Sequence, residues 1–82
     1  MAAGKWRALA RKVIARALAD AAAQAVPRRG LRKFLAARYG EYYDARKKYQ
    51  YRVWREEVAA ALERARLQQS QTLLPWAALL EN

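Results

Sequence analysis

The sequence of 82 residues contains neither cysteine nor histidine. Without cysteine the chain forms no disulfide and offers no thiol nucleophile and no thiolate ligand for zinc. Without histidine it lacks the side chain that most often acts as a general base near neutral pH. The seven acidic residues alone do not make the donor set that transition metals favour. The usual components of a catalytic or zinc site are therefore missing.

Glycine, serine and threonine are also scarce. The three glycines are isolated, so no glycine-rich phosphate-binding loop is present. Ser70 and Thr72 lie in a short polar segment with no candidate base nearby. Glu56 and Glu57 are adjacent on a predicted helix, where their side chains diverge by about 100° and share neither a proton nor a metal ion. We therefore predict no catalytic, cofactor-binding or metal-binding residue, and a protein that is not an enzyme.

Acidic residues and long apolar runs are the remaining scarcities. No run approaches the roughly 20 apolar residues that a membrane-spanning helix needs. Seventeen basic residues against seven acidic ones give a net charge of +10 and an isoelectric point near 10.7. Residues 1–55 carry fifteen of the basic residues and three of the acidic ones. This balance predicts an anionic partner, which is nucleic acid, an anionic lipid surface or an acidic protein.

Apolar residues recur at helical spacing in two long segments. Residues 3–26 predict an N-terminal amphipathic helix, and residues 27–30 (Pro-Arg-Arg-Gly) predict a turn after it. Residues 31–69 predict a long second helix with a possible kink at Gly40, because the apolar pattern crosses this glycine without losing phase. Residues 72–80 form a short apolar C-terminal tail. The sequence thus predicts an all-α fold with residues 1–82 in a single small helical domain.

The large apolar side chains are few and are spread along the whole chain, since much of the apolar fraction of 55% is alanine. Two arrangements fit this composition. One is a compact three-helix core, which would be thin in a chain of this size. The other is an extended helical subunit whose apolar stripes are covered by partner subunits. We expect the extended arrangement.

A stretch that mixes aromatic and basic residues lies between residues 38 and 55. On RNA, such a surface combines phosphate neutralisation with stacking. Alternatively the aromatic rings pack against other helices while the cations face solvent. We favour packing, because the aromatic residues keep helical phase with Val58 and Leu62. The stretch contains Arg38, Tyr39, Tyr42, Tyr43, Arg46, Lys47, Lys48, Tyr49, Tyr51, Arg52, Trp54 and Arg55.

The apolar tail is too short to span a membrane and too apolar to remain in water. It docks on the chain's own helices, in a groove on a partner protein, or at a membrane interface. The polar segment before it lets the tail swing away from the long helix, which favours the partner groove. The predicted partner-binding residues are Trp54, Val58, Leu62, Leu73, Trp76, Leu79 and Leu80.

The N-terminal helix resembles a mitochondrial targeting segment, because it is amphipathic, rich in arginine and alanine, and contains Asp20 as the only acid in the first forty residues. Its near lack of serine and threonine departs from that pattern. We expect it to remain uncleaved and to serve as structure. The predicted contacts to an anionic surface, including cardiolipin-like lipid, are Lys5, Arg7, Arg11, Lys12, Arg16, Arg46, Lys48, Arg52 and Arg55.

These features predict a non-catalytic accessory or assembly subunit of a large complex. Our leading hypothesis is a helical scaffold on the matrix side of the mitochondrial inner membrane, in a respiratory complex or the ATP synthase, where its partners are protein subunits. The alternative is a mitoribosomal or ribosomal RNA-binding structural protein, which the charge favours. A basic helical DNA-binding or phage-type protein is a third and weaker hypothesis.

Overall fold

Two long helices and two short ones form most of the part of the chain that the structure describes. The computed structural model describes residues 2–43, residues 50–70 and Trp76. Helix α1 is Ala2–Ala23, a 3-10 turn covers Arg28–Gly30, α2 is Leu31–Ala36, α3 is Tyr39–Tyr42 and α4 is Gln50–Ser70. No residue in these described ranges belongs to a β-strand. The predicted all-α fold class is confirmed.

Helix α1 ends in a Schellman motif two residues before Pro27. The N–H of Val26 donates to the carbonyl oxygen of Ala21 at 2.9 Å, and the N–H of Ala25 donates to that of Ala22 at 3.1 Å. Ala25 has a φ of 57°, the left-handed conformation that this motif requires and that glycine adopts with least strain. The backbone, and not Pro27 alone, therefore terminates the helix.

Replacing Ala25 with glycine should stabilise the chain by about 0.5–1 kcal/mol. The substitution removes a left-handed penalty of about 1–2 kcal/mol and adds a smaller entropic cost in the unfolded state. Urea unfolding followed by circular dichroism measures this change. Ala19→Gly is the matched control, because Ala19 is exposed inside α1 and glycine there should cost about 1 kcal/mol. Destabilisation by both variants would contradict the assignment of Ala25 as the left-handed cap.

The prediction of one continuous helix over residues 31–69 is wrong. Gly40 lies inside α3 and does not have a positive φ, so it is not a left-handed cap. The helix stops at Tyr43, whose ψ of 137° is extended, and α4 begins at Gln50. A continuous helix of that length would hold its ends about 58 Å apart, so its two halves could not both cover α1. Breaking it allows α2, α3 and α4 all to pack against α1.

The main core lies where α1 meets α3 and α4. The small side chains Ala10 and Ala17 are fully buried on α1, which permits close approach of α4. The radius of gyration is 13.1 Å, near the roughly 12 Å expected for a compact domain of this size. The expected extended subunit completed by partners is thus not confirmed. The buried residues of this core are Ala10, Ile14, Ala17, Leu35, Tyr42, Val53, Trp54, Val58 and Ala61.

Aromatic rings form the centre of this core. The rings of Tyr42 and Trp54 stack at 5.3 Å, and Trp6 meets Tyr42 edge-on at 6.4 Å. The Tyr39 ring contacts both of these stacked rings, with its centroid 6.1 Å from that of Tyr42 and 5.6 Å from that of Trp54. Tyr42 and Trp54 are thus buried and Tyr39 is partly buried, as favoured from the sequence, whereas Tyr43 and Tyr51 are half exposed.

Trp76 completes a second, smaller core with Ala21 and Leu31. Its side chain is buried, and its indole N–H donates to the carbonyl oxygen of Val26 at 2.8 Å. The indole thus packs on its own chain, and its predicted insertion into a partner's groove stays a prediction. The other predicted tail contacts, Leu73, Leu79 and Leu80, lie outside the described residues.

Candidate functional site

An ion cluster of two arginines and two glutamates links α1 to α4. Arg7 donates to Glu57 at 2.7 Å and to Glu56 at 2.8 Å, and Arg11 donates to Glu57 at 2.9 Å. The Glu57 side chain is only 7% exposed. Arg7 and Arg11 thus pair with carboxylates of the same chain, and their predicted contact with an anionic surface stays a prediction.

The ion cluster shifts the proton affinities of its members. Burial by itself raises the pKa of the Glu57 carboxyl, but the hydrogen bonds and charges of Arg11 and Arg7 outweigh it and hold that pKa below its ordinary value. The hydrogen bonds from Glu56 and Glu57 raise the pKa of Arg7. Glu57 therefore remains ionised at neutral pH, and the cluster stays intact.

The other described carboxylates are also paired. Arg38 bonds Asp20 at 2.8 Å and lies 3.7 Å from Glu41, while Arg66 bonds Glu63 at 2.6 Å. Together with the ion cluster, these pairs engage every carboxylate in residues 2–43 and 50–70. Because basic residues outnumber them, many cations are left without a carboxylate in the described structure.

Several of these cations line a groove between α2 and α4. The groove consists of two adjoining cavities of about 660 and 480 Å³, and Arg32 and Ala59 line both. We call it the arginine groove, because all of its basic side chains are arginines. They are Arg28, Arg29 and Arg32 from the turn and α2, and Arg52, Arg55 and Arg66 from α4.

Helical spacing explains why these arginines face one another. On α4, Arg52, Arg55 and Arg66 fall on one face with Ala59 between them, because residues three, four or seven apart share a face. On the other side, Arg32 and Ala36 are four residues apart. Because the alanine side chains are small, they leave open space between α2 and α4. The long arginine side chains lie along the edges of this space.

The groove carries a clear excess of positive charge. Its six arginines face two carboxylates, Glu56 and Glu63, an excess of four positive charges. Both carboxylates are already bonded, Glu56 to Arg7 and Glu63 to Arg66. No ion pair joins Arg28, Arg29, Arg32 or Arg55 to the part of the chain that the structure describes. The groove therefore presents guanidinium groups with free donors to an incoming anion.

Arginine suits phosphate recognition better than lysine does. Its planar guanidinium presents paired N–H donors that fit two phosphate oxygens at once. From Arg52 to Arg66 the groove runs about 21 Å along α4, at 1.5 Å per residue. That length is several times the spacing of about 3.4 Å between phosphates along one strand of a duplex, so the groove is long enough to contact several phosphates in a row. The arrangement is suited to binding a linear polyanion.

Aromatic side chains border one end of the groove. Tyr51 is 52% exposed, whereas Trp54 is only 3% exposed and lines the groove from within the core. The Tyr39 ring meets the Tyr51 ring edge-on at 5.3 Å. Burial raises the pKa of Tyr39, and the charges of Tyr43 and Tyr51 raise it further. Tyr39 is therefore a neutral phenol at physiological pH.

The structure brings together only some of the predicted site residues. Arg52 and Arg55 line the arginine groove, whereas Lys5, Lys12 and Arg16 are exposed on α1 outside it. Arg46 and Lys48 lie outside the described residues. Of the predicted partner contacts, Trp54 and Val58 are buried in the chain's own core, and Leu62 packs against it.

Four arginines of the groove were missed from the sequence: Arg28, Arg29, Arg32 and Arg66. The first two were assigned only to the turn. The signal that could have found them is the spacing of Arg28, Arg32 and Ala36, which continues one helical face through the turn. Their position opposite α4 follows only from the chain reversal after Tyr43.

The described part of the chain offers neither a membrane span nor a metal cluster. None of its helices is long and apolar enough to cross a bilayer. Within the same residues, no three carboxylate, histidine or cysteine side chains come together as metal ligands would. Comparisons with protein families, with curated proteins and with solved structures found no match to this chain. The arginine groove is thus the feature on which a functional proposal rests.

Proposed function

We propose that this protein is a non-catalytic structural subunit of a large mitochondrial assembly and that it binds RNA through the arginine groove, as a mitoribosomal protein would. The observation that carries the proposal is the groove itself. Six arginines converge there, and the carboxylates beside them are already bonded to arginine. Phosphate neutralisation supplies essentially all of the affinity of non-specific nucleic-acid binding and a large share of the affinity of specific binding.

The structure shifts the balance between the two functions that the sequence suggested. The inner-membrane hypothesis relied on an apolar surface larger than the chain can bury and on a tail ready to insert into a partner. In the described residues the apolar stripes meet one another, and Trp76 packs against Ala21 and Leu31. Apart from the exposed side chains of Tyr43, Tyr51 and Leu67, the described surface is dominated by charged and small residues, and this supports the RNA-binding alternative.

The proposed mitochondrial location rests on α1. Its arginine-rich and amphipathic sequence has the character of a targeting segment. Its buried residues Ala10, Ile14 and Ala17 form one side of the main core, so removing α1 would remove that side. The proposal therefore treats α1 as an address that is retained as structure.

Replacing Arg28, Arg32 and Arg55 with glutamine should weaken RNA binding on the order of 100-fold at about 0.1 M salt. The slope of log K against log salt should become shallower by about two units, because each lost phosphate contact on a single strand removes about 0.7. Fluorescence anisotropy with a labelled single-stranded oligonucleotide at several salt concentrations measures both quantities. Circular dichroism should show unchanged helicity, since these side chains are exposed.

The matched control replaces Lys5, Lys12 and Arg16 with glutamine. This variant loses the same number of charges from exposed positions of α1 that do not line the groove. Its RNA affinity should stay within about twofold of the wild type, as expected for charges beyond direct contact at moderate salt. Equal losses of RNA affinity in both variants would show that the groove contributes only through the net charge of the protein and is not a specific RNA-binding site. If the tagged protein is recovered with inner-membrane complexes and without RNA, the result would favour the hypothesis of a scaffold subunit at the inner membrane instead.

A further inference from the structure

Tyr51 differs from the other aromatic side chains that line the arginine groove. Its side chain is half exposed, whereas Trp54 is buried and Tyr39 is partly buried. An exposed tyrosine beside arginines presents an apolar ring face next to donors for phosphate. Sites for single-stranded nucleic acids combine the same two groups: the bases stack on aromatic rings, and the phosphates bind to cationic side chains.

The ring of Tyr51 is held in place by the core beneath it. Tyr39 meets it edge-on at 5.3 Å, and Tyr39 in turn lies 5.6 Å from Trp54, which is stacked on Tyr42. A ring supported in this way loses little freedom when a ligand stacks on it, so more of the stacking energy appears as affinity.

Cations flank Tyr51 on α4. Arg52 is the next residue, and the Arg55 guanidinium lies over the Tyr51 ring at 5.7 Å from its centroid. Arg55 also forms no ion pair within the described residues. A base that displaced Arg55 from the ring would release the guanidinium toward the neighbouring phosphate. The two side chains are thus placed to contact successive parts of one nucleotide.

We infer that Tyr51 is a stacking platform for an unpaired base and that the arginine groove takes single-stranded RNA in preference to a duplex. The inference rests on the proposed function and assigns its ligand class. In an A-form duplex the bases are stacked on one another, so a protein ring reaches a base face only where the strand is unpaired. Tyr51 therefore contributes to affinity only for an unpaired strand.

The test compares Tyr51→Ala with Tyr51→Phe on three probes. The probes are a single-stranded uridine oligonucleotide of about ten nucleotides, an RNA duplex of equal length and inorganic polyphosphate. Tyr51→Ala should weaken binding of the oligonucleotide about tenfold, the loss expected for one stacked base. Tyr51→Phe keeps the ring and should bind the oligonucleotide as the wild type does. Neither variant should change binding of the duplex or of polyphosphate.

A second readout follows the Tyr51 ring directly. In the wild-type protein, the ring resonances of Tyr51 should move upfield when the oligonucleotide is added, and should not do so with polyphosphate. Equal losses of oligonucleotide and polyphosphate affinity in Tyr51→Ala, or an unchanged oligonucleotide affinity, would overturn the stacking role and leave RNA binding by the arginines intact. Failure of the wild-type protein to bind any RNA would overturn the proposed function and this inference together.

Discussion

Trp76→Ala is expected to lower the free energy of unfolding of the isolated chain by about 4 kcal/mol. The side chain is 5% exposed and packs with Ala21 and Leu31, so its removal leaves a cavity between the ends of α1 and α2. A chain of this size has a total stability of only about 4–12 kcal/mol. Much of the variant should therefore be unfolded at 37 °C, and its circular dichroism at 222 nm should fall accordingly.

Trp76→Phe separates the hydrogen bond from the packing. Phenylalanine fills most of the space but cannot donate to the Val26 carbonyl, which would lose its 2.8 Å partner. A loss of about 1–2 kcal/mol is expected from urea unfolding, well below that of the alanine variant. If Trp76→Ala instead keeps full helicity and stability while assembly into a complex is lost, then the indole serves a partner and self-docking is wrong.

Glu57→Gln should cost about 3 kcal/mol at pH 7, the second largest effect that the structure predicts. The carboxylate accepts hydrogen bonds from Arg7 and Arg11 and is almost buried, so an amide in its place leaves Arg11 without a counter-charge and Arg7 with Glu56 alone. The estimate is at the low end for a buried ion pair, because the Arg11 side chain is 66% exposed and regains water. Urea unfolding at pH 7 measures the difference.

The pH dependence of this effect has a defined sign. The pKa of Glu57 in the folded chain lies below its ordinary value of 4.5. The stabilisation is therefore fully present above pH 4.5 and is lost as the pH falls through the folded-state pKa. The gap between wild type and Glu57→Gln should shrink at pH 3. Glu63→Gln is the control, since its pair with Arg66 is exposed and should contribute little at either pH. A gap that persists undiminished at pH 3 would show that the amide disturbs packing and not charge.

The helical periodicity was sufficient to predict α1 and most of α4. It was not sufficient to predict that the helical segment after α1 ends at Tyr43. Leu35, Tyr39 and Tyr42 continue one apolar pattern because Ala37 and Arg38 keep right-handed backbone angles between α2 and α3. The break comes at Tyr43, where neither glycine nor proline marks it. The break is favoured because it lets α2, α3 and α4 all pack against α1. This is a tertiary effect, which the local sequence pattern does not predict.

The same limit explains the errors on the face of α4. Tyr51, which the spacing placed in phase with Val58 and Leu62, is half exposed, whereas Glu57, which the sequence assigned to neither face, is buried. The true face depends on the two arginines of α1 that meet Glu57, some fifty residues away. The position of Trp76 was likewise open, because the Val26 carbonyl becomes an acceptor for its indole only when the end of α1 turns there.

The fifty-residue separation of Arg7 and Glu57 also sets a time scale for synthesis. Helix α1 has no α4 to cover its apolar side until those intervening residues have been translated. At about 5–20 residues per second, this takes roughly 3–10 s. On the proposed mitochondrial route, an import receptor would have these seconds to recognise the uncovered amphipathic surface. The late arrival of Glu57 and Trp76 would then close that interval and convert the address into part of the folded core.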